Sequence, residues 1–308
     1  MARTRRILIL SVLGLMPVLA LLLSAGEGHG GPTLDERLTP MLQAHKGKAA
    51  VALKNLETGE SWYYHADEPM PTASLIKVAV MVEAYAQADE RKLSLTDRVT
   101  LHEDDKVGGS GVLTPGFSEG ATFSLRDAVR LMIAYSDNTA TNLVLDKVGI
   151  AAVNRRMKAW GFPTTRVNGK VFREMETTDD PEWTKRFDLG STTAREMAGL
   201  FEELQIGDRL RPELRLAMLE HMKHTKKRES FPLLLPPGAV FPHKGGSFED
   251  ARTEAAVLYT PAGPVVLCAL TCENADRRPV PENDANLLCA RVARAVYDYY
   301  SAPAPAGR

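Results

Sequence analysis

Ser74 and Lys77 stand three residues apart at the head of the stretch from Ala73 to Ala88. Leu75, Ile76, Val78, Ala79, Val80, Met81, Val82 and Ala84 leave that stretch almost no polar face. A helix that is apolar all round is a buried helix. The spacing puts Ser74 and Lys77 on one face of its first turn. Burial disfavours the ammonium form, so the pKa of Lys77 should fall. The positive end of the helix dipole acts in the same direction and supports a developing anion. A neutral amine beside a serine hydroxyl can take its proton, which is how a serine becomes a nucleophile. The plainer alternative makes Ser74 an N-cap and sends Lys77 out to solvent. Ser-x-x-Lys arises about once by chance in a chain this long, although Ser74 is the only serine here with Lys three residues later.

Two further groups can serve such chemistry. Ser136-Asp137-Asn138 follows a helix that opens with Ser124 and Asp127, a capping-box spacing with Leu125, Ala128, Val129, Leu131 and Met132 as its apolar face. Another helix begins near Thr139 and stops at Gly149. Ser136 therefore falls on a short interhelical connection, where a hydroxyl and an amide can face a cleft. Ordinary turn chemistry also selects Ser, Asp and Asn there. The third group is His243-Lys244-Gly245-Gly246-Ser247 in a late strand. Consecutive glycines in a strand mark close approach of another chain or a ligand, and Lys244 adds positive charge; a β-bulge beside a surface lysine is the alternative.

The elements that must bring these groups together follow from the pattern along the chain. A Gly-rich linker, Glu27 to Pro32, precedes a helix from Leu34 to His45. Strand signals cover Ala49 to Leu53 and Ser61 to Tyr64, with a turn at Glu57-Thr58-Gly59-Glu60. Helical patterns fill the chain from Ala73 to about Thr225. Strand signals return at Val240 to Phe248, Thr253 to Tyr259 and Val265 to Thr271, the last two joined by Pro261-Ala262-Gly263-Pro264. A helix from Asn283 to Tyr300 closes the fold. Two strands at the start and three at the end can share one antiparallel sheet whose faces need helical cover. The expected fold class is α/β (α+β): a five-stranded antiparallel sheet from both chain ends, flanked by helices, with an inserted all-helical domain. The expected division is a sheet domain of residues 27–72 and 238–302, a helical domain of residues 73–237, and a disordered tail at 303–308.

Composition narrows the function classes. The chain has 308 residues with a formal net charge of -1, 44% hydrophobic and 25% charged residues. That profile excludes disorder, collagen and a many-span membrane protein, and the length suffices for a large core. Phosphate binding needs a clustered basic excess; the only basic run outside the N-terminus is Lys226-Lys227-Arg228, which reads as a solvated helix end, so no nucleic-acid partner is expected. Residues 1–26 are a separate segment. Arg3, Arg5 and Arg6 precede an apolar run from Ile7 to Leu23 and then Ser24-Ala25-Gly26, the pattern of a secretory signal peptide. The run is also long enough for an uncleaved membrane anchor; Pro17 and the small residues favour cleavage, which would remove three arginines and take the charge from -1 to -4. Either way the body is expected outside the cytoplasm, periplasmic or secreted, as a monomer that meets the membrane only if the segment is retained. The three cysteines, Cys268, Cys272 and Cys289, read as small core residues, with an odd count that leaves at least one thiol free. His221-x-x-His224 lacks a third ligand and reads as solvated rather than as zinc-binding. Gly108-Gly109-Ser110-Gly111 is not a nucleophile elbow, because Val112 stands where its second glycine would be; it reads as a loop at the cleft entrance. No cofactor and no metal are expected.

Ser-x-x-Lys, Ser-Asp-Asn and Lys-x-Gly, in that order, resemble the motif set of class A β-lactamases and penicillin-binding proteins. The likeness covers nearly the whole chain beyond the N-terminal segment. The string from Ser136 to Asn142 is similar to class A enzymes in particular. The resemblance implies that Ser74 attacks a lactam carbonyl and forms an acyl-enzyme, with Lys77 accepting its proton directly or through water. Ser136 would pass the proton to the leaving nitrogen, and Asn138 would hold the substrate's side-chain amide. Lys244 would supply positive potential near the substrate carboxylate, lining the site with Gly246 and Ser247. The backbone N–H groups of Ser74 and Ser247 would form the oxyanion hole.

Two departures from the family pattern matter. Gly245 stands where the family carries Thr or Ser, so one hydroxyl for the substrate carboxylate is missing; Ser247 or Arg252 are the substitutes considered. The Glu-x-x-Leu-Asn signature of the deacylating loop is also missing, although the loop itself (Pro163 to Gly190), its following helix start (Ser191-Thr192-Thr193 with Glu196) and its supporting Asn142 are present. Glu174, or else Glu176, stands nearest the place of the base, without Leu-Asn after it. The functions that follow are a class A-like β-lactamase, a D-alanyl-D-alanine peptidase or esterase on the same scaffold, or a penicillin-binding module without turnover.

Overall fold

The structure, a computed structural model, describes residues 31–173 and 180–302. The N-terminal segment expected to serve export or anchoring, the tail at 303–308, Glu174 and Glu176 lie outside the described residues.

Helix α1 (Leu34–Gln43) leads into strands β1 (Lys48–Asn55) and β2 (Ser61–Tyr64). A two-residue strand, β3 (Met70–Pro71), is followed by a 3₁₀ turn, Ala73–Ile76, that runs straight into α2 (Lys77–Asp89). Next come β4 (Arg98–Thr100), α3 (Leu113–Gly116), β5 (Thr122–Ser124), α4 (Leu125–Ala134), α5 (Asn138–Val148) and α6 (Ile150–Ala159). They are followed by β6 (Arg166–Val167), α7 (Pro181–Phe187), β7 (Gly190–Thr192), α8 (Ala194–Ile206) and α9 (Pro212–Lys223). The chain returns through β8 (His243–Ser247), β9 (Arg252–Thr260), β10 (Gly263–Cys272) and α10 (Asp284–Ser301).

The main sheet has five strands in the order β2-β1-β10-β9-β8, antiparallel throughout. It is the sheet expected from the two chain ends. Side chains alternate across it with the period of two that a pleated strand imposes. Val51, Leu53, Leu258, Val265 and Leu267 join Leu34, Leu38, Val292 and Val296 in one apolar layer, under α1 and α10. Ala50, Ala52, Val257, Val266 and Leu270 face the other layer, with α2 and α8. Both faces are covered, so the strands read as nearly continuous apolar runs. Helix α8 packs on β1, β9 and β10: Met197, Leu200, Phe201 and Leu204 are fully buried in that second layer. It lies within the stretch expected as a helical insert, yet its apolar stripe is spent on the sheet.

The cysteines follow this layering. Cys268 and Cys272 are four apart in β10 and share a face, so about 13 Å of strand separates them, beyond the reach of a disulfide. Cys289 sits in α10 in the opposite layer. All three are free and buried, as small core residues should be. Of the histidines expected in solvent, His224 is exposed and pairs with Glu220 at 3.0 Å. His221 is a correction: it lies on the side of α9 that carries the buried Met218 and Met222, and its Nε2 is 2.7 Å from Tyr85 Oη. Burial pushes its pKa down to about 4.

Several short strands escaped the sequence pattern. β3 and β6 flank β7 in a small sheet of two- and three-residue strands, too short to carry a periodicity. They have a positioning role: the Thr72 N–H donates to Gly190 O at 2.9 Å, which fixes the chain just before Ser74.

Candidate active site

Ser74 lies in the 3₁₀ turn Ala73–Ile76 rather than in a regular α-helical first turn. Ala73 enters it with a φ of 45°, a left-handed value that a residue with a Cβ adopts at a cost of about 1 kcal/mol or more. The surroundings hold it there. Thr72 O accepts from Thr253 Oγ1 at 2.7 Å, and β8 passes close by. A Cβ at Gly246 would come within 2.5 Å of Ser74 N, 2.6 Å of Thr72 O and 2.9 Å of Leu75 N. Only glycine lets β8 approach the turn, the close approach that the paired glycines suggested.

Lys77 opens α2 and is fully buried, so the alternative in which it reaches solvent is excluded. Its Nζ donates to Ser136 O at 2.7 Å, to Asn138 Oδ1 at 2.8 Å and to Ser136 Oγ at 3.3 Å. Desolvation lowers its pKa to about 7, against the opposing pull of the Asp137 carboxylate. Ser136 has a φ of 54°, so the connection between α4 and α5 is strained where it presents this hydroxyl. Lys244, also buried, donates from Nζ to the same Ser136 Oγ at 3.0 Å and to Gly245 O at 2.6 Å. Its pKa falls well below the ordinary lysine value, first through burial and then through repulsion by Lys77 and Lys227. Ser136 Oγ thus lies between two buried amines, each of which can give or take a proton through it.

Asp137, given no role from sequence, organises this corner. Its carboxylate caps α5 through Ala140 N–H at 2.8 Å and also accepts from Val112 N–H at 2.7 Å and Leu113 N–H at 2.9 Å. It ties the Gly108–Gly111 loop to the head of α5, and Asn138 Nδ2 donates to Gly108 O at 3.0 Å. The signal was present in sequence as an N-cap residue, but the partners lie 24 to 25 residues away.

Ser74 lies at the meeting of two lobes that share Ser74, Ser110 and Ser247. One lobe, of about 310 Å³, is lined by Asn138, Val171, Phe172 and Phe248, with the charged Lys170, Arg173 and Asp188 among its other lining residues. The other, of about 390 Å³, is lined by Ser136, Lys226, Lys227, Lys244 and Gly245. The loop Gly108–Gly111 does stand at the entrance, as expected. The basic run from Lys226 is a correction: α9 stops at Lys223, so the run lies beyond it, and Lys227 folds against the cleft. Arg252 is a second one. It is buried, and its guanidinium donates to Ala251 O at 2.8 Å, to Phe248 O and to Arg278 O at 3.4 Å; it holds the β8–β9 turn and is spent there. Asn142 does support the loop: Val171 N–H donates to its Oδ1 at 2.8 Å and its Nδ2 donates to Val171 O at 3.0 Å.

The model of the β-lactamase enzyme family matches residues 33–300. The chain belongs to the β-lactamase enzyme family. A β-lactamase of Streptomyces cellulosae is 32% identical over 282 residues, 87% of this chain and 88% of that one. An ancestral class A β-lactamase has 25% identity and a TM-score of 0.74, covering 86% of this chain and 99% of that one. PBP-A, solved as the acyl-enzyme complex of a leucine-to-glutamate mutant with penicillin G, has 25% identity and a TM-score of 0.72, covering 86% of this chain and 95% of that one. As a class A-like serine hydrolase of the β-lactamase enzyme family, the chain shares the five-stranded sheet and departs at Gly245. The described edge of its long loop brings Lys170, Val171, Phe172 and Arg173 to the lobe beside Ser74, and none of them carries a carboxylate.

Proposed function

We propose that this protein opens β-lactam rings by attack of Ser74 Oγ, giving an acyl-enzyme that water then hydrolyses. The observation that carries this reading is Lys77: a fully buried amine with a pKa of about 7, in the same turn region as Ser74 and bonded to Ser136 and Asn138. Near neutral pH such an amine is half unprotonated and can accept the Ser74 proton, directly or through a water. Ser136, between Lys77 and Lys244, is suited to deliver a proton to the lactam nitrogen as it leaves. The Ser74 and Ser247 N–H groups are the oxyanion donors, Gly246 keeps them close, and Asn138 and Lys244 orient the substrate. Glu174 or Glu176 remains the proposed base for the second step. The apolar run near the N-terminus supports export of the body, and nothing in the fold requires a second copy.

One observation favours a second reading, a penicillin-binding peptidase or esterase with slow release of β-lactams. The loop segment that Asn142 clamps brings Val171 and Phe172 into the lobe that Ser74 lines, and a hydrocarbon there activates no water; among the described residues Asp188 is the one carboxylate lining that lobe. Purified protein mixed with a chromogenic cephalosporin and with a fluorescent penicillin separates the two. Rapid multiple turnover that Ser74→Ala abolishes supports the lactamase. A stable label on Ser74 with negligible turnover sinks it in favour of the second reading, and absence of both overturns Ser74 as nucleophile.

A further inference from the structure

The bare backbone at Gly245 is covered by another residue. A Cβ there would meet Thr253 O at 3.2 Å, Glu254 Cδ at 3.4 Å and Lys227 Cδ at 3.4 Å. The hydrocarbon stem of Lys227 therefore lies against β8 at the position where a hydroxyl-bearing side chain would otherwise stand.

Lys227 lines the 390 Å³ lobe with Ser74, Ser136 and Lys244. Its side chain is only 19% exposed, and its one ion pair among the described residues is a long one, 3.8 Å to Glu229. A lysine carries three N–H donors, and a half-desolvated ammonium with no close partner is a receptor for an anion. Lys226 is exposed to solvent, and the buried cations of this region are more fully engaged than Lys227. Lys244 gives two of its three donors to Ser136 Oγ and Gly245 O, and Arg252 gives its own to backbone carbonyls. Among the described residues, Glu229 is the one acid that lines the lobe beside Lys226, Lys227 and Lys244. The buried Glu254 behind β8 also attracts Lys227 and Lys244, but its carboxylate is paired with His243 at 2.5 Å, so the lobe itself presents an excess of positive charge. An anion seated there relieves the repulsion between Lys227 and Lys244.

We propose that Lys227 receives the carboxylate of the substrate, in the place that the glycine at 245 leaves open. The inference rests on Ser74 as the nucleophile that the substrate acylates.

The test compares acylation of Ser74 by a β-lactam carrying a free ring carboxylate with acylation by its methyl ester, in the full-length protein. Lys227→Ala should slow acylation by the acid about tenfold or more, as loss of a desolvated charge partner does, and leave the ester within about twofold. Adding Gly245→Thr to Lys227→Ala should recover part of the loss, because removal of the stem makes room for a hydroxyl. Equal losses for acid and ester would mean that Lys227 only packs, and would overturn the proposal; so would an unchanged rate for the acid. Thermal melts of each variant show whether a loss comes from unfolding. If neither compound labels Ser74 in the unmodified protein, the nucleophile assignment itself fails, an outcome distinct from a loss confined to Lys227→Ala.

Discussion

The buried amine of Lys77 makes the pH dependence of acylation a sharp test. With a pKa of about 7, about half of the molecules hold a neutral Lys77 at pH 7, whereas a lysine at its ordinary value near 10.4 would be neutral in roughly one molecule in 2,500. Pre-steady-state acylation by a chromogenic cephalosporin should therefore rise about tenfold per pH unit between pH 5 and 6.5 and level off above about 7.5. At pH 5 the rate should be about 1% of the plateau. Asp137→Asn removes the charge that holds the Lys77 pKa up, so the inflection should move to lower pH. The same substitution weakens the acceptor that serves Val112 and Leu113 N–H, at a cost of about 1–3 kcal/mol, which a denaturation midpoint records separately. Because Lys77 and Lys244 share Ser136, the inflection belongs to the coupled pair. A rate still climbing tenfold per unit at pH 9 would refute the buried neutral amine. An inflection that Asp137→Asn shifts to higher pH would refute the role given to that carboxylate.

Gly246→Ala forces a Cβ into backbone atoms of Thr72, Ser74 and Leu75; overpacking of this kind costs about 1–3 kcal/mol, and acylation should drop at least tenfold, read by penicillin labelling beside a thermal melt. Asn142→Ala removes both hydrogen bonds to the Val171 backbone and should cost about 2–3 kcal/mol, with increased proteolysis confined to the loop. Val171→Glu puts a carboxylate on the clamped segment beside Ser74 and should speed release of a bound penicilloyl group; an unchanged release rate would show that the segment does not reach the ester. Stability should rise with pH from about 7 to about 8, because the unfolded chain binds a proton that buried Lys77 has lost in the fold. Above that it should fall, since Cys268, Cys272 and Cys289 are held protonated by burial while unfolded thiols ionise near 8.5. Urea titrations across pH 6 to 10 give the curve.

The five-stranded sheet was legible, though not its strand order, because the strands from Ala49, Thr253 and Val265 are long, apolar and bounded by turn residues. The capping box of Ser124 and Asp127 and the apolar α2 were equally plain. Ser74, Lys77, Ser136, Asn138 and Lys244 were found by residue type and order, and the fold brings them to one cleft. What stayed hidden depends on contacts across the chain. β3, β6 and β7 are too short to show a period. The destination of α8 is set by which surface its stripe meets. His221 was read as polar and exposed, although its place in α9 turns it inward against Tyr85. Lys227 looked like one more solvated charge, and only its contact with Gly245 distinguishes it. Asp137 read as an ordinary turn residue, because the backbone groups it anchors lie 24 residues earlier.

The pairing of β1 with β10 sets Lys48 opposite Cys272, a closure over roughly 220 residues whose entropy must be met before the sheet rewards it. The turn that carries Ser74 is completed by β8, on the far side of the same closure. An amino-terminal portion of the chain can build its helices from local contacts, but it cannot make the nucleophile's surroundings. During synthesis the chain therefore stays chemically silent until its last strands emerge, and a product truncated before β8 should be inert however well its helices form.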